Sequence, residues 1–336
     1  MGAKTNFMKQ NVLILLAFLL VASCSDSGSN SNKKSVETVA LIDAPAFDAG
    51  KAYEYVQKQV DFGPRVPNTE AHKKASAWFK ETLEGFGAKV YMQEWEDYTY
   101  DGTKVALTNV IASFNPGVKK RIMLSAHWDT RPFADHDKED HMGSLDGAND
   151  GGSGVGVLLE VARVIGQNEG LKVGVDIILF DGEDWGDGDS AAPPPTNGNE
   201  TWWCLGSQYW AKNKHIPNYS AYYGILLDMV GAPDATFYYD ANSQANAGRV
   251  LKKVWDRGIA LGHEEYFIPK MGFRYITDDH VYINKLARIP TIDIIDYRPP
   301  GKFTPVWHTT KDDMSGIDKT TLGVVGEVVL SMLWNE

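Results

Sequence analysis

Along the 336-residue chain, carboxylates and imidazoles recur at the ends of apolar runs. His127 and Asp129 follow Arg121–Ala126, and Asp150 precedes the glycine pair Gly151-Gly152. Asp181, Glu183 and Asp184 follow Val173–Phe180, Asp228 sits at the end of Tyr222–Met229, and Asp278, Asp279, His280 and His308 lie further on. These types suit a metal-assisted reaction. Zinc takes nitrogen, oxygen or thiolate ligands, and a catalytic site keeps one position open. With no cysteine suitably placed, His127, Asp150, Asp184, Asp228 and His308 are the available ligands. Glu183 adds a second function. Next to a carboxylate that binds metal, a neighbour turned elsewhere by the loop stays free as a general base.

Such residues act together only if the fold brings them to one edge. The pattern predicts helices over Ala52–Val60, Thr69–Phe86, Gly152–Ile165, Gly206–Asn213 and Thr320–Leu333. It predicts strands over Lys89–Trp95, Thr108–Phe114, Arg121–Ala126, Val173–Phe180, Tyr222–Met229 and Ile289–Ile295. Val173–Phe180 is almost continuously apolar, as buried parallel strands are. Alternating strands and helices imply a mostly parallel sheet covered on both faces. In such folds ligands sit beyond the carboxyl ends of the strands, which is where these residues fall. There is no internal repeat and no second domain boundary. The single catalytic domain is placed at 39–336.

The ordered series Ala126-His127-Trp128-Asp129, Asn149-Asp150-Gly151-Gly152-Ser153, Phe180-Asp181-Gly182-Glu183-Asp184, Leu226 to Ala232 and Trp307-His308-Thr309 resembles the zinc aminopeptidase and glutaminyl cyclase superfamily. Gly63-Pro64-Arg65-Val66-Pro67 resembles that family's early pocket loop. The resemblance implies a three-layer α/β/α sandwich around a mixed, mostly parallel sheet of the zinc exopeptidase type. It also implies one of two activities. In a two-zinc aminopeptidase Asp150 would bridge the ions, Asp184 and His308 would complete one site, His127 and Asp228 the other, and Glu183 would activate water. In a one-zinc glutaminyl cyclase Asp150, Asp184 and His308 would hold the metal, Glu183 would move the proton, and Asp279 supported by Asp228 would hold the amide nitrogen.

Trp307 before His308, the run Leu226 to Pro233, and Asp278-Asp279-His280 are closer to the cyclase pattern, in which the tryptophan packs on the substrate. Asp184 departs from both patterns, whose usual ligand is Glu, but Asp is an equally acceptable type of zinc ligand. The expected reaction is closure of an N-terminal glutamine of peptides to pyroglutamate with loss of ammonia. Hydrolysis of N-terminal residues is the alternative. A third reading, a peptide-binding lipoprotein without catalysis, has to explain why Glu183 is kept.

The net charge of −11 argues against a nucleic-acid partner. Lys4 and Lys9, the apolar run Val12–Val21 and the sequence Val21-Ala22-Ser23-Cys24 resemble a bacterial lipoprotein signal. The run is short for a spanning helix. Residues 1–23 are expected to be removed, with Cys24 lipidated and 24–38 forming a Ser/Asn-rich tether at the outer membrane, on its periplasmic or surface face. An ordinary secretory signal or weak anchor is the plainer alternative. Cys204 then reads as a buried small hydrophobe. The loop after Asp184 carries Pro193-Pro194-Pro195 and leads to Trp202, Trp203 and Trp210, which either form a lid with its own core or touch substrate. Asp184, Asp187 and Asp189 suit a solvated acidic loop better than a calcium site. Asp135-His136-Asp137 to His141 reads as a surface loop.

Overall fold

The computed structural model describes residues 42–188, 191–273 and 275–336. The expected signal and tether lie outside them. In chain order the elements are α1 (Ala49–Val60), α2 (Glu70–Gly85), β1 (Lys89–Tyr98), β2 (Lys104–Phe114), β3 (Arg121–His127), α3 (Gly152–Gln167), β4 (Gly174–Phe180) and α4 (Leu205–Lys212). They continue with β5 (Tyr223–Asp228), β6 (Phe237–Asp240), α5 (Ala241–Ala260), β7 (Phe267–Phe273), α6 (Asp279–Tyr282), β8 (Thr291–Ile295) and α7 (Lys319–Trp334). Side-chain oxygens mark the helix starts. Asp48 caps α1 at Lys51 N, Thr69 caps α2 at His72 N, Asp240 caps α5 at Ser243 N and Asp318 caps α7 at Thr321 N. Each satisfies one of the amides that a helix leaves unpaired at its first turn.

The central sheet has the order β1-β2-β4-β3-β5-β8. β1 and β2 form an antiparallel hairpin, β2 runs antiparallel to β4, and β4, β3, β5 and β8 are mutually parallel. The hairpin is longer than expected because pairing runs from Lys89 opposite Ser113 to Tyr98 opposite Lys104. Successive residues of the central strands face opposite layers. Ile122, Leu124, Val175, Ile177, Ile225 and Ile292 face a core closed by α1, α2, α3, α5 and α7. Met123, Ile178 and Phe180 face a smaller core built around Trp210, Tyr219 and Ile283. This is the expected α/β/α sandwich.

The sequence pattern assigned no element between 230 and 288, where β6, α5, β7 and α6 lie. Within α5, Leu251, Val254 and Trp255 are buried at helical spacing against the main core.

The parallel strands β3, β4, β5 and β8 all end at one edge, so His127, Asp181, Asp228 and Asp296 emerge side by side. α3 starts at the same edge and drops into the main core. It approaches closely because Gly154 carries no Cβ; one there would lie 2.3 Å from Leu227 O. Among the described residues no helix is long and apolar enough to cross a membrane.

Candidate active site

The loop after β4 carries Glu183 and Asp184, and their position is fixed from below. Asp129, fully buried after β3, accepts hydrogen bonds from Glu183 N at 3.0 Å and Asp184 N at 3.1 Å. Asp150 is held in the same way from a distant segment. Asp312 accepts from Asn149 N at 2.8 Å and Asp150 N at 3.1 Å. Buried Arg65 donates to the carbonyls of Trp128, Asp146 and Gly147, tying the early pocket loop to both. Gly151, at φ 74, turns the chain where a Cβ would lie 2.8 Å from His127 Cε1. His308 itself has φ 54, a conformation that costs a non-glycine residue roughly 1–3 kcal/mol and is found where function requires it.

Asp150, Asp184 and His308 come together with ligand atoms within 4.8 Å of one another. His308 Nε2 lies 3.1 Å from Asp184 Oδ1 and 3.6 Å from Asp150 Oδ2. Asp150 Oδ2 and Asp184 Oδ2 are buried and have no hydrogen-bond partner. Two orphaned carboxylate oxygens beside an imidazole are costly without a cation. As a three-residue N/O set it fits zinc with one position left open. Burial and the neighbouring Asp184 push Asp150 up to about 6. Burial lowers His308, but Asp184 and Asp135 outweigh it and bring the imidazole to about 9.

His127, Asp150 and Asp228 form an adjoining group that also meets the spacing for a metal. Here His127 Nε2 is already shared between Asp150 Oδ1 at 2.9 Å and Asp228 Oδ1 at 3.2 Å.

Glu183 faces a cavity of about 190 Å³ lined by Asp150, Asp184, His308, Asp228, Asp278, Trp203, Phe303 and Trp307. This is below the roughly 300–1,000 Å³ typical of pockets for drug-sized molecules. Burial and the acidic neighbours raise Glu183 well above the usual carboxylate range, so proton uptake is favourable there. Trp307 stacks on His308 with ring centres 3.7 Å apart and is backed by Phe303 at 4.2 Å. Of the three loop tryptophans, Trp203 lines the cavity, roughly parallel to the His308 ring at 6.5 Å. Trp210 is core, and Trp202 bonds to Pro193 O within the loop. The loop is thus both lid and wall.

Several expectations need adjusting. Asp279 is fully buried and does not line the cavity. Asp278 is the member of the pair that reaches the cavity. Burial is the main reason that Asp278 is raised to about 8 and Asp279 to about 7. Asp181 turns away, bonding His72 Nε2 at 2.9 Å under Trp128. Asp184 belongs to the metal group, and Asp187 accepts from Ala192 N within its loop; Asp189 lies outside the described residues. The loop at 135–141 is not merely surface. Asp135 Oδ1 lies 3.1 Å from His308 Nδ1 and Asp137 bonds Thr310. Neither Asp135 nor Asp312 carried a local signal, because each meets its partner from a distant segment.

The model of peptidase family M28 matches residues 109–333. The glutaminyl-peptide cyclotransferase of Drosophila melanogaster is 25% identical over 285 residues, covering 77% of this chain and 73% of its own. The Bacteroides thetaiotaomicron glutaminyl cyclase bound to N-acetylhistamine is 48% identical, with a TM-score of 0.82 over 87% of this chain and 99% of its own. A second structure from that organism, described as a leucine aminopeptidase precursor, is 47% identical, with a TM-score of 0.82 over 88% of this chain and 100% of its own.

Proposed function

The chain belongs to peptidase family M28, and on that premise we infer that it is a zinc-dependent glutaminyl-peptide cyclotransferase. It converts the N-terminal glutamine of peptides to pyroglutamate and releases ammonia. The observation that carries this reading is the Trp307–His308 stack, which makes an aromatic wall directly against the metal group in a cavity of single-residue size. The similarity at 48% to a glutaminyl cyclase over 87% of the chain supports it.

Asp150, Asp184 and His308 would hold the zinc, whose role is to polarise the substrate's γ-carbonyl. The reaction is a cyclisation. The α-amine nitrogen bonds to the γ-carbon, the bond from that carbon to the amide nitrogen breaks, and the amine's proton leaves on ammonia. Glu183 takes that proton and returns it to the departing nitrogen. Its raised proton affinity suits the first of these steps, the uptake. Asp278 and Asp228, at the cavity wall, receive the amide end, with Asp279 buried behind them. Trp307, Phe303 and Trp203 confine the side chain so that amine and carbonyl meet. Because both reactants are in one molecule, orientation supplies much of the rate and no water has to be activated.

The aminopeptidase reading has one feature in its favour, the second group of His127, Asp150 and Asp228. Product analysis by mass spectrometry separates the two. With zinc-loaded protein, a peptide beginning in glutamine should lose ammonia without shortening, and a matched peptide beginning in leucine should be untouched. Release of free leucine or glutamine would overturn the cyclase assignment.

The chain is further proposed to be a lipoprotein of the outer membrane, with Cys24 as the lipidated first residue after removal of 1–23 and with 24–38 as tether. The basic start, the short apolar run and Val21-Ala22-Ser23-Cys24 support this. Cys24→Ala should move the protein from the membrane fraction to the soluble fraction; unchanged fractionation would count against lipidation.

A further inference from the structure

Cys204 is the residue before α4, entirely buried, and in the left-handed conformation at φ 57. Its backbone is tied to the catalytic loop, with Cys204 N donating to Glu183 O at 3.0 Å and Leu205 N to Gly182 O at 2.9 Å. Its side chain points the same way. Sγ lies 3.1 Å from Glu183 Oε1. Sγ, a Glu183 oxygen and an Asp278 oxygen all fall within 4.8 Å of one another, so the thiol sits among acids. Burial and these carboxylates raise the thiol well above its usual range. It is therefore a donor, and a thiolate here would be repelled by its neighbours. A left-handed residue other than glycine at such a point is strained, and strain of this kind is retained where the surroundings require it.

We propose that the Cys204 thiol is a positioning residue for Glu183, donating a hydrogen bond to Oε1 so that the other carboxylate oxygen is presented to the substrate amine. The proposal rests on the assignment of Glu183 as the proton carrier. A free carboxylate can turn about its last torsion; pinning one oxygen removes that freedom and leaves the second in reach of the cavity. The thiol suits this place because it is a small apolar group that fills the core while offering one weak donor. The same turn of α4 serves the neighbouring acid, since the Ser207 hydroxyl partly offsets the burial of Asp279.

The test compares Cys204→Ala with Cys204→Ser in the full-length, zinc-loaded chain. Both keep a non-glycine residue at the left-handed position, so backbone strain is matched. The alanine variant should lose about tenfold in kcat with KM and zinc content essentially unchanged, whereas serine, which can still donate, should restore most of the loss. Wild-type kcat in the alanine variant, or an equal loss in both, would overturn the proposal. A second measurement does not depend on activity or on the alanine variant folding. The Cys204 S–H infrared stretch, identified by its disappearance in Cys204→Ser, should shift in frequency in Glu183→Gln, where the carboxyl acceptor is replaced by an amide; an unmoved band would also overturn it. The functional reading is separable. If the wild-type protein shortens peptides instead of cyclising them, that reading falls, and the two variants are then compared on hydrolysis.

Discussion

His308 is held from both sides of its ring: Nε2 lies 3.1 Å from Asp184 Oδ1, and Nδ1 lies 3.1 Å from Asp135 Oδ1. Asp135 is anchored by Arg131, which also bonds the carbonyl of Asp184 at 3.0 Å. Although burial opposes it, His308 and Arg131 keep the Asp135 carboxyl ionised well below its usual range. An anion behind a ligating imidazole fixes the tautomer and strengthens the donor nitrogen. Asp135→Asn should therefore weaken zinc binding by roughly 10–100-fold while leaving the fold intact. Competition with a chelator of known affinity measures this directly. Unchanged affinity would mean that Asp135 merely neutralises Arg131.

Glu183 is not a member of the Asp150, Asp184 and His308 group, although it adjoins Asp184 in sequence. Its removal should therefore separate binding from turnover. Glu183→Gln keeps the shape of the side chain and loses its basicity. Turnover should fall by about 10²–10⁴ with zinc content unchanged. Metal analysis alongside rates of ammonia release gives both values from one preparation. Loss of zinc in this variant, or retained turnover, would remove Glu183 from the role assigned to it.

Much of this site was legible because each residue follows an apolar run that can only be a buried strand. His127, Glu183, Asp184 and Asp228 are placed at one edge by β3, β4 and β5 alone. Asp150 was legible from the glycine turn that opens α3. The rest was not, and the reason is distance along the chain. Asp312 reaches the amide of Asp150 across 162 positions, and Arg65 reaches Gly147 O across 82. No local pattern carries such contacts. Cys204 was legible as a buried residue, but its partner Glu183 lies 21 positions earlier across the whole tryptophan-rich loop. That Asp278 rather than Asp279 lines the cavity has a local reason. Asp278 caps the start of α6, which brings it to the cavity and turns Asp279 inward.

A substitution at His127 distinguishes the one-zinc from the two-zinc reading. Its Nε2 is shared by Asp150 and Asp228 at 2.9 and 3.2 Å, so in the one-zinc reading the imidazole ties two carboxylates together. His127→Ala should then leave one zinc bound per chain and lower activity by loosening Asp228. In a two-zinc enzyme the same change would remove one of two ions. Zinc stoichiometry of wild type and variant after equilibrium dialysis distinguishes them. A fall from two ions to one would overturn the single-zinc assignment.

Away from the metal group, His215 gives the fold a pH dependence of its own. It packs against Tyr91, Trp210 and Tyr219, and its Nδ1 accepts a hydrogen bond from Trp210 Nε1 at 3.1 Å. The bond requires an unprotonated Nδ1. Burial lowers the imidazole to about 4, with Asp176 opposing the shift and Arg121 adding to it. The unfolded chain binds the proton near the ordinary value of about 6.5. Between these two values the unfolded state holds more protons than the folded one, so stability falls as pH falls. The contribution of His215 is complete above about 6.5, declines through the interval, and is lost below about 4. Its size is of order 2 kcal/mol, allowing for the partial exposure of the ring. His215→Phe keeps the ring packing and removes the titration. The stability difference between wild type and this variant, from urea unfolding at pH 7, 5.5 and 4, should shift in favour of the variant at each step down. A difference that does not change with pH would show that the imidazole is not held neutral by the fold.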